Sequence, residues 1–372
     1  MILSPGAHRK VLGAVSGNAQ PVACSPRKQQ AAPVEGETIA LNGDAGSLLL
    51  LNELLGDGGF GSVYRGILNA DLPVAAKVVN FDEELEGRED CRREVRAHRA
   101  LFASPASPAC LHLLVDLLHH IEQPSRFILV MPLLRGVELE DWVADQPDAR
   151  LAEAMVRRLA QPIAQAVAFC HASGVAHLDV KPQNILVDIN ADPRAPPGIR
   201  LIDYGCAEVF DAATPGEAWV EECGGTDNFM SPERHFADDD RGFLAPPADV
   251  FSLGCVYFFM LCGHVPFDWR AADTSELSIA LVQRVRMGEL PYGAGNQKSP
   301  APLLQPSQYA RELIGQMTMA DPFGRPTAAA VLEHPWLQLS EARTGQVQEA
   351  EAEAALDEAF ARLSVHQAVQ SV

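Results

Sequence analysis

Residues 177–188 read HLDVKPQNILVD, and this stretch decides how the chain is understood. It places Asp179, Lys181 and Asn184 at relative positions 0, +2 and +5 and then closes on the apolar run Ile185 to Val187. Pro182 stands between them, and a proline inside a helix removes a donor and collides with the preceding turn. The stretch is therefore a shaped loop leading into a short strand. A loop that presents Asp, Lys and Asn together suits a site handling a hydroxyl, a phosphate and a metal. Alone, the same pattern is equally compatible with a solvated turn.

The surrounding chain narrows the choice. At 372 residues it can form two domains or one large two-lobed body. With 47% apolar and 21% charged residues, the composition is that of a soluble globular protein. A net charge of −20 argues against nucleic acid or an anionic membrane as a main partner, since both demand Lys and Arg. Residues 1–46 sum to +1 and 340–372 to −4, which leaves −17 on the part between. The acidity thus belongs to the expected folded body, where it bears on solubility and only weakly on basic partners.

The eight cysteines are scattered without a C-x-x-C pair. They read as small buried hydrophobes in a reducing compartment, and a cytoplasmic monomer is the default expectation. The first 34 residues lack Asp and Glu but hold Arg9, Lys10, Arg27 and Lys28. Acid-poor starts of this kind occur in plastid transit peptides, but with no amphipathic pattern a disordered tail over 1–46 is the expectation.

From Ser47 the texture changes. Two strand-like runs flank GDGGFGSV (56–63) and read as a hairpin with a glycine-rich turn. A charged helical segment follows, with Val95, His98 and Leu101 on one face. The stretches LLVDLLHHIE (113–122) and RFILVMPLL (126–134) read as further strands. Beyond Met131 the pattern becomes helical. The apolar stretch 250–267 is interrupted by Gly254 and Gly263 and reads as a buried core helix, not a membrane span. Helices are also expected over 275–288 and, as an acidic segment, within 340–372.

A lone G-x-G-x-x-G is weak evidence, but Gly56, Gly58 and Gly61 lie within a β-hairpin, where glycines let the backbone approach phosphate oxygens. Lys77 follows sixteen residues after Gly61 in an otherwise apolar strand. There it needs a countercharge, and Glu94 on the next helix can supply one. Asp203 ends an apolar strand, and with Asn184 it offers hard oxygen donors of the kind Mg²⁺ accepts beside substrate phosphates. Asp179 can receive or orient the proton of an attacking hydroxyl, and Lys181 can steady a phosphoryl group in transit.

In order and rough spacing, GDGGFGSV, VAAK, Glu94, HLDVKPQN, DYG, SPE, DVFSLG and DPFGRPT resemble the eukaryotic protein-kinase domain over residues 47–339. The resemblance implies an α+β bilobal fold, with a β-rich N-lobe (47–131), a hinge (132–138) and a mostly α C-lobe (139–339). It implies ATP and Mg²⁺ as cofactors and a protein Ser/Thr hydroxyl as acceptor. Asp179 would be the catalytic base, Asn184 and Asp203 the metal ligands, and Lys77 the phosphate contact paired with Glu94. Val63, Ala75 and Leu186 would enclose the adenine, with Met131 at its back, Leu133 in the hinge and Glu138 near the ribose. Glu233 should pair with Arg325, and Asp249 should brace the catalytic loop. Lys181 and Thr226 match the serine/threonine class, and RPTAAAVLEHPWL (325–337) is similar to the calcium/calmodulin-dependent and related groups.

There are departures from the family pattern. Leu178 replaces the arginine of H-R-D, Tyr204 replaces the phenylalanine of D-F-G, and Glu208 stands where a basic residue is frequent. Glu221 and Glu222 occupy the usual phosphosite region. A phosphate held among these groups would meet carboxylates, so activity independent of activation-segment phosphorylation is expected. A nucleotide-binding pseudokinase is the alternative, but such proteins typically lose the counterparts of Lys77, Asp179 or Asp203, and all three are present.

Overall fold

The computed structural model describes residues 37–41, 46–58, 61–81, 87–104, 108–188, 198–221, 224–235, 242–268, 283–285, 287–292 and 305–338. Six strands make the smaller lobe: β1 (Thr38–Ala40), β2 (Ser47–Gly58), β3 (Gly61–Leu68), β4 (Leu72–Asn80), β5 (His119–Glu122) and β6 (Arg126–Pro132). They pair antiparallel in the order β1-β2-β3-β4-β6-β5. The two-residue period of the pleat sends Val74, Ala76 and Val78 into a core with Ile39, Leu48, Tyr64 and Val130. The other face of β4 carries Ala75, Lys77 and Val79. Val79 packs with Phe127 and Leu129 against Cys91 and Val95 of helix α1 (Arg88–Ala103).

The larger lobe follows with β7 (Val137–Glu138), α2 (Leu139–Ala144), α3 (Glu153–Ala172), β8 (Val175–Ala176), β9 (Ile185–Asp188) and β10 (Gly198–Leu201). Next come β11 (Glu208–Val209), β12 (Trp219–Val220), α4 (Pro232–His235), β13 (Phe243–Leu244) and α5 (Ala245–Cys262). Helices α6 (Gln308–Met317), α7 (Ala328–Leu332) and α8 (Pro335–Gln338) complete it. Helix α5 is long and apolar enough, by length and composition alone, to cross a membrane. Here it is the centre of the lobe, with Phe251, Val256, Phe258 and Met260 fully buried. Gly254 admits the end of α6, where an added Cβ would lie 2.9 Å from both Met317 Cβ and Thr318 Cγ2. The bilobal α+β architecture is that expected from the sequence.

Two expectations are corrected. Within the tail assigned to 1–46, residues 37–41 are structured: β1 pairs with β2, Ile39 and Leu41 are buried, and both Glu37 carboxylate oxygens accept from Arg126. So short a strand has too few alternations to stand out from a tail. The strand expected from Leu113 begins only at His119. Pro108–Leu113 forms a 3-10 turn, and Leu113, Leu114 and Val115 instead join the core of the larger lobe. Most of the helix expected over 275–288, together with Glu222 and the acidic segment 340–372, lies outside the described residues.

Candidate active site

The roof of the cleft follows from strand register. Val63 stands opposite Lys77, and Ala75 opposite Met131, so the four share one face of the sheet. Met131 near the end of β6 and Leu133 just beyond it are part-buried, and Glu138 pairs with Leu186 across β7 and β9. Gly58 faces Gly61 at the tip of the hairpin. Gly61 has φ +123°, and a Cβ there would fall 2.7 Å from the Val78 carbonyl, so the fold itself demands glycine. At Gly56 a Cβ would meet nothing within 4 Å.

Beneath the roof lies a buried charge network. Lys77 Nζ donates to Glu94 Oε2 at 2.8 Å and to Asp203 Oδ1 at 2.6 Å, which joins the sheet, α1 and the segment after β10. Burial would strip the Lys77 proton, but the Asp203 and Glu94 carboxylates outweigh it and hold the ammonium well above the usual lysine range. For Asp203, burial pushes the carboxyl up and the adjoining Lys77 charge more than reverses this, so it stays ionised. Asp203 itself has φ 63°, a left-handed conformation uncommon outside glycine. Gly205 keeps the network open, since a Cβ there would lie 3.3 Å from Asp203 Oδ1 and 3.6 Å from Lys77 Nζ.

The ionised Asp203 carboxylate, more exposed than Glu94, puts negative charge on the cleft side of the network, which favours a cation. Asn184 donates through Nδ2 to the Asp179 carbonyl at 2.9 Å and to Asp179 Oδ2 at 3.0 Å, which turns its amide oxygen the other way. An ionised carboxylate and an amide oxygen fit a hard divalent ion such as Mg²⁺ that takes its remaining ligands from water and phosphate. Among the described residues, no three His, Cys, Asp or Glu side chains form a metal cage of their own.

The floor is the loop at residues 177–188. Pro182–Asn184 is a 3-10 turn running into β9. Asp179 is almost wholly buried and shares its oxygens: Oδ2 meets Lys181 Nζ at 2.7 Å, and Oδ1 accepts from Thr226 Oγ1 at 2.9 Å. Lys181 Nζ also donates to Thr226 Oγ1 at 2.7 Å. Asp179, Lys181, Asn184 and Thr226 therefore form one polar cluster.

Asp249 on α5 anchors this loop by accepting from the backbone N–H groups of His177 (2.8 Å) and Leu178 (2.7 Å), with His171 Nε2 at 2.9 Å. Burial would raise its carboxyl, and these donors hold it below the usual range. Arg325 meets both Glu233 oxygens at 2.7 Å. Tyr204 fills the space between His98 of α1 (ring centroids 4.8 Å apart) and His177 (5.0 Å). Among the described residues neither His98 ring nitrogen has a hydrogen-bond partner, and burial lowers its pKa to about 3.

Two arginines at the site were not singled out from the sequence. Arg93, on α1, reaches Glu208 of the activation segment at 2.9 Å. Arg92 and Arg96 point instead to Glu122 (2.6 Å) and Glu89 (2.7 Å). Arg234 donates to the carbonyls of Leu178 and Gly224. The only sequence signal for Arg93 was its place beside Glu94; Arg234 gave none, because its partners are backbone atoms distant in the chain.

The protein kinase domain family matches residues 50–337. Among curated proteins, calcium-dependent protein kinase 22 of rice is 34% identical over 250 residues, covering 67% of this chain and 38% of the relative. CBL-interacting protein kinase 19 of rice is 29% identical over 325 residues, covering 86% of this chain and 57% of the relative. The serine/threonine protein kinase OSK3 of rice is 30% identical over 294 residues, covering 78% and 50%. The chain thus spans between about two fifths and three fifths of the length of these relatives.

Proposed function

Because the chain belongs to the protein kinase domain family, we propose that it transfers the γ-phosphate of ATP to serine or threonine hydroxyls of protein substrates. One observation carries this reading: Asp179 sits with Lys181, Asn184 and Thr226 below an intact Lys77–Glu94–Asp203 network. Asp179 orients the acceptor hydroxyl. As the acceptor oxygen forms its bond to γ-phosphorus and the bridging P–O bond to ADP breaks, the hydroxyl proton passes toward the Asp179 carboxylate. Lys181 balances charge on the moving phosphoryl, and Lys77 balances it on the phosphates that stay behind. Asn184 and Asp203 would hold Mg²⁺, which supplies charge neutralisation on the phosphate oxygens. The open space at Gly56 is left free for the nucleotide.

Activity independent of activation-segment phosphorylation belongs to the same proposal. Leu178, fully buried beside Ala176, Cys206, Phe243, Ala245 and Ala248, has no side-chain donor to offer a phosphate, and the nearby Arg234 guanidinium is engaged with the Leu178 and Gly224 carbonyls. Glu208 already supplies α1 with a negative partner through Arg93. The segment is further pinned by β12 pairing with β13.

The full chain made in bacteria, given γ-labelled ATP, Mg²⁺ and degenerate Ser/Thr and Tyr peptide libraries, should label Ser and Thr. Asp203→Asn should remove the signal. Phosphatase treatment and Thr214→Ala should each leave the rate within about twofold. No labelling by the wild-type chain would refute the activity, and silencing by phosphatase, reversed on rephosphorylation, would refute the independence.

A further inference from the structure

Leu178 stands where the family resemblance places an arginine, and the cation nearest its backbone arrives from another element. Arg234 of α4, 56 residues along the chain, donates through Nη1 to the Leu178 carbonyl oxygen. Through Nη2 it donates to the carbonyl of Gly224. One end of this bridge is the residue before Asp179; the other lies two residues before Thr226. The guanidinium is 5.5 Å from the centre of the Phe243 ring, and the residue is only 8% exposed. Gly225 makes the room: its φ is +152°, and a Cβ there would fall 2.5 Å from Arg234 Nη2.

We propose that Arg234 is a positioning residue for phosphoryl transfer, cross-linking the catalytic loop to the segment that carries Thr226. The inference rests on the kinase reading above and deepens it. The Asp179–Thr226 contact of 2.9 Å joins residues 47 apart in sequence, so it holds only while the two segments keep their spacing. A planar guanidinium can satisfy two carbonyls at once, with fixed separation and angle; a lysine ammonium offers a point charge on a flexible stem and cannot impose that spacing. Both acceptors are neutral backbone oxygens. The bridge therefore forms without a phosphate, and it takes over the organising work of the missing loop arginine.

The test compares the full-length wild type with Arg234→Met, Arg234→Lys and Thr226→Ala, singly and combined. Arg234→Met keeps the apolar stem and removes every donor. Its kcat should fall roughly 10- to 100-fold with KM for ATP unchanged, as a displaced catalytic contact predicts. Arg234→Lys should fall between. In a Thr226→Ala background the extra loss from Arg234→Met should shrink below about threefold, because both changes act on the same contact. Independent, multiplying losses would overturn the proposal, as would a loss confined to melting temperature or to KM for ATP. Amide hydrogen exchange reads the cross-link without turnover: Arg234→Lys should speed exchange at Gly225 and Thr226 by about tenfold and leave α1 unaffected. Unchanged exchange there would overturn the proposal even if the wild type transferred no phosphate, a result that would sink the kinase reading separately.

Discussion

Two polar clusters face one another across the cleft, and they are held by different means. The upper one, Lys77 with Glu94 and Asp203, is an ionic junction among three elements, its outer partners 17 and 126 residues from the lysine. The lower one, Asp179 with Lys181 and Asn184, is written within six consecutive residues and borrows Thr226 from afar. In the upper cluster Lys77 and Asp203 keep each other ionised against burial, whereas burial and the Asp203 charge push the Glu94 carboxyl up and only the Lys77 charge opposes them. In the lower cluster the chain itself sets the geometry, and Asp249 fixes it through backbone N–H groups. Damage above should therefore spread into folding and nucleotide binding, whereas damage below should stay with the chemistry.

The largest effect should come from the lower cluster. Asp179→Asn keeps an oxygen for Thr226 and removes the charge, so kcat should drop by about 10²- to 10⁴-fold. KM for ATP and the melting temperature should hardly move. A parallel loss of ATP affinity, measured by nucleotide titration, would show that the clusters work as one unit and would break the contrast.

Lys77→Met comes next, and its signature should be mixed. Removing one charge-stabilising group in a closed site costs about 10²- to 10³-fold in turnover. Breaking a buried ion pair from one side also costs about 3–5 kcal/mol, because the uncompensated carboxylate stays buried. Here two carboxylates lose their partner, so urea unfolding should show a clear drop in midpoint. Lys77→Met with unchanged stability and lost activity would mean that Glu94 and Asp203 find solvent, and that the upper cluster is looser than its geometry implies.

The same contrast explains what could be read from the sequence. The lower cluster was legible because its residues lie within a few positions of each other and a proline fixes the loop. The two-lobed fold was legible because a glycine-bounded hairpin gives way to long helical periods. The Lys77–Glu94 pair could be anticipated because a lysine in an apolar strand needs a countercharge on whatever packs against it. Arg234 and Arg93 could not, since a guanidinium bound to backbone oxygens, or to a glutamate more than a hundred residues away, leaves no local pattern. The strand at Thr38–Ala40 escaped for a related reason: it draws its stability from the edge it covers, and its own sequence barely alternates.

His98 joins the two clusters and gives the finest test. It lies on the helix that carries Glu94, and its ring meets Tyr204, which in turn meets His177 of the catalytic loop. Helical periodicity placed it on the inner face of α1, but not with both ring nitrogens unpartnered. Such a buried polar group costs about 1–3 kcal/mol, so His98→Leu should stabilise the protein at pH 7. The groups around it are Lys77, Asp203 and His177; burial, then the Lys77 charge, lower its pKa to about 3. In the unfolded chain the imidazole titrates near about 6.5. Between these values the unfolded state binds the proton and the folded state does not. The wild type should therefore lose stability as pH falls below about 6.5, by up to about 1.4 kcal/mol per pH unit from this group. Other histidines and carboxylates titrate in the same range, but their contributions cancel in the difference between His98→Leu and wild type. Urea midpoints at pH 7, 6 and 5 should show the advantage of the leucine variant widening at each step, with activity at pH 7 changed far less than by either mutation above. An advantage independent of pH would mean that the folded protein accommodates a charged His98, and that the junction between the two clusters is wetter than its packing shows.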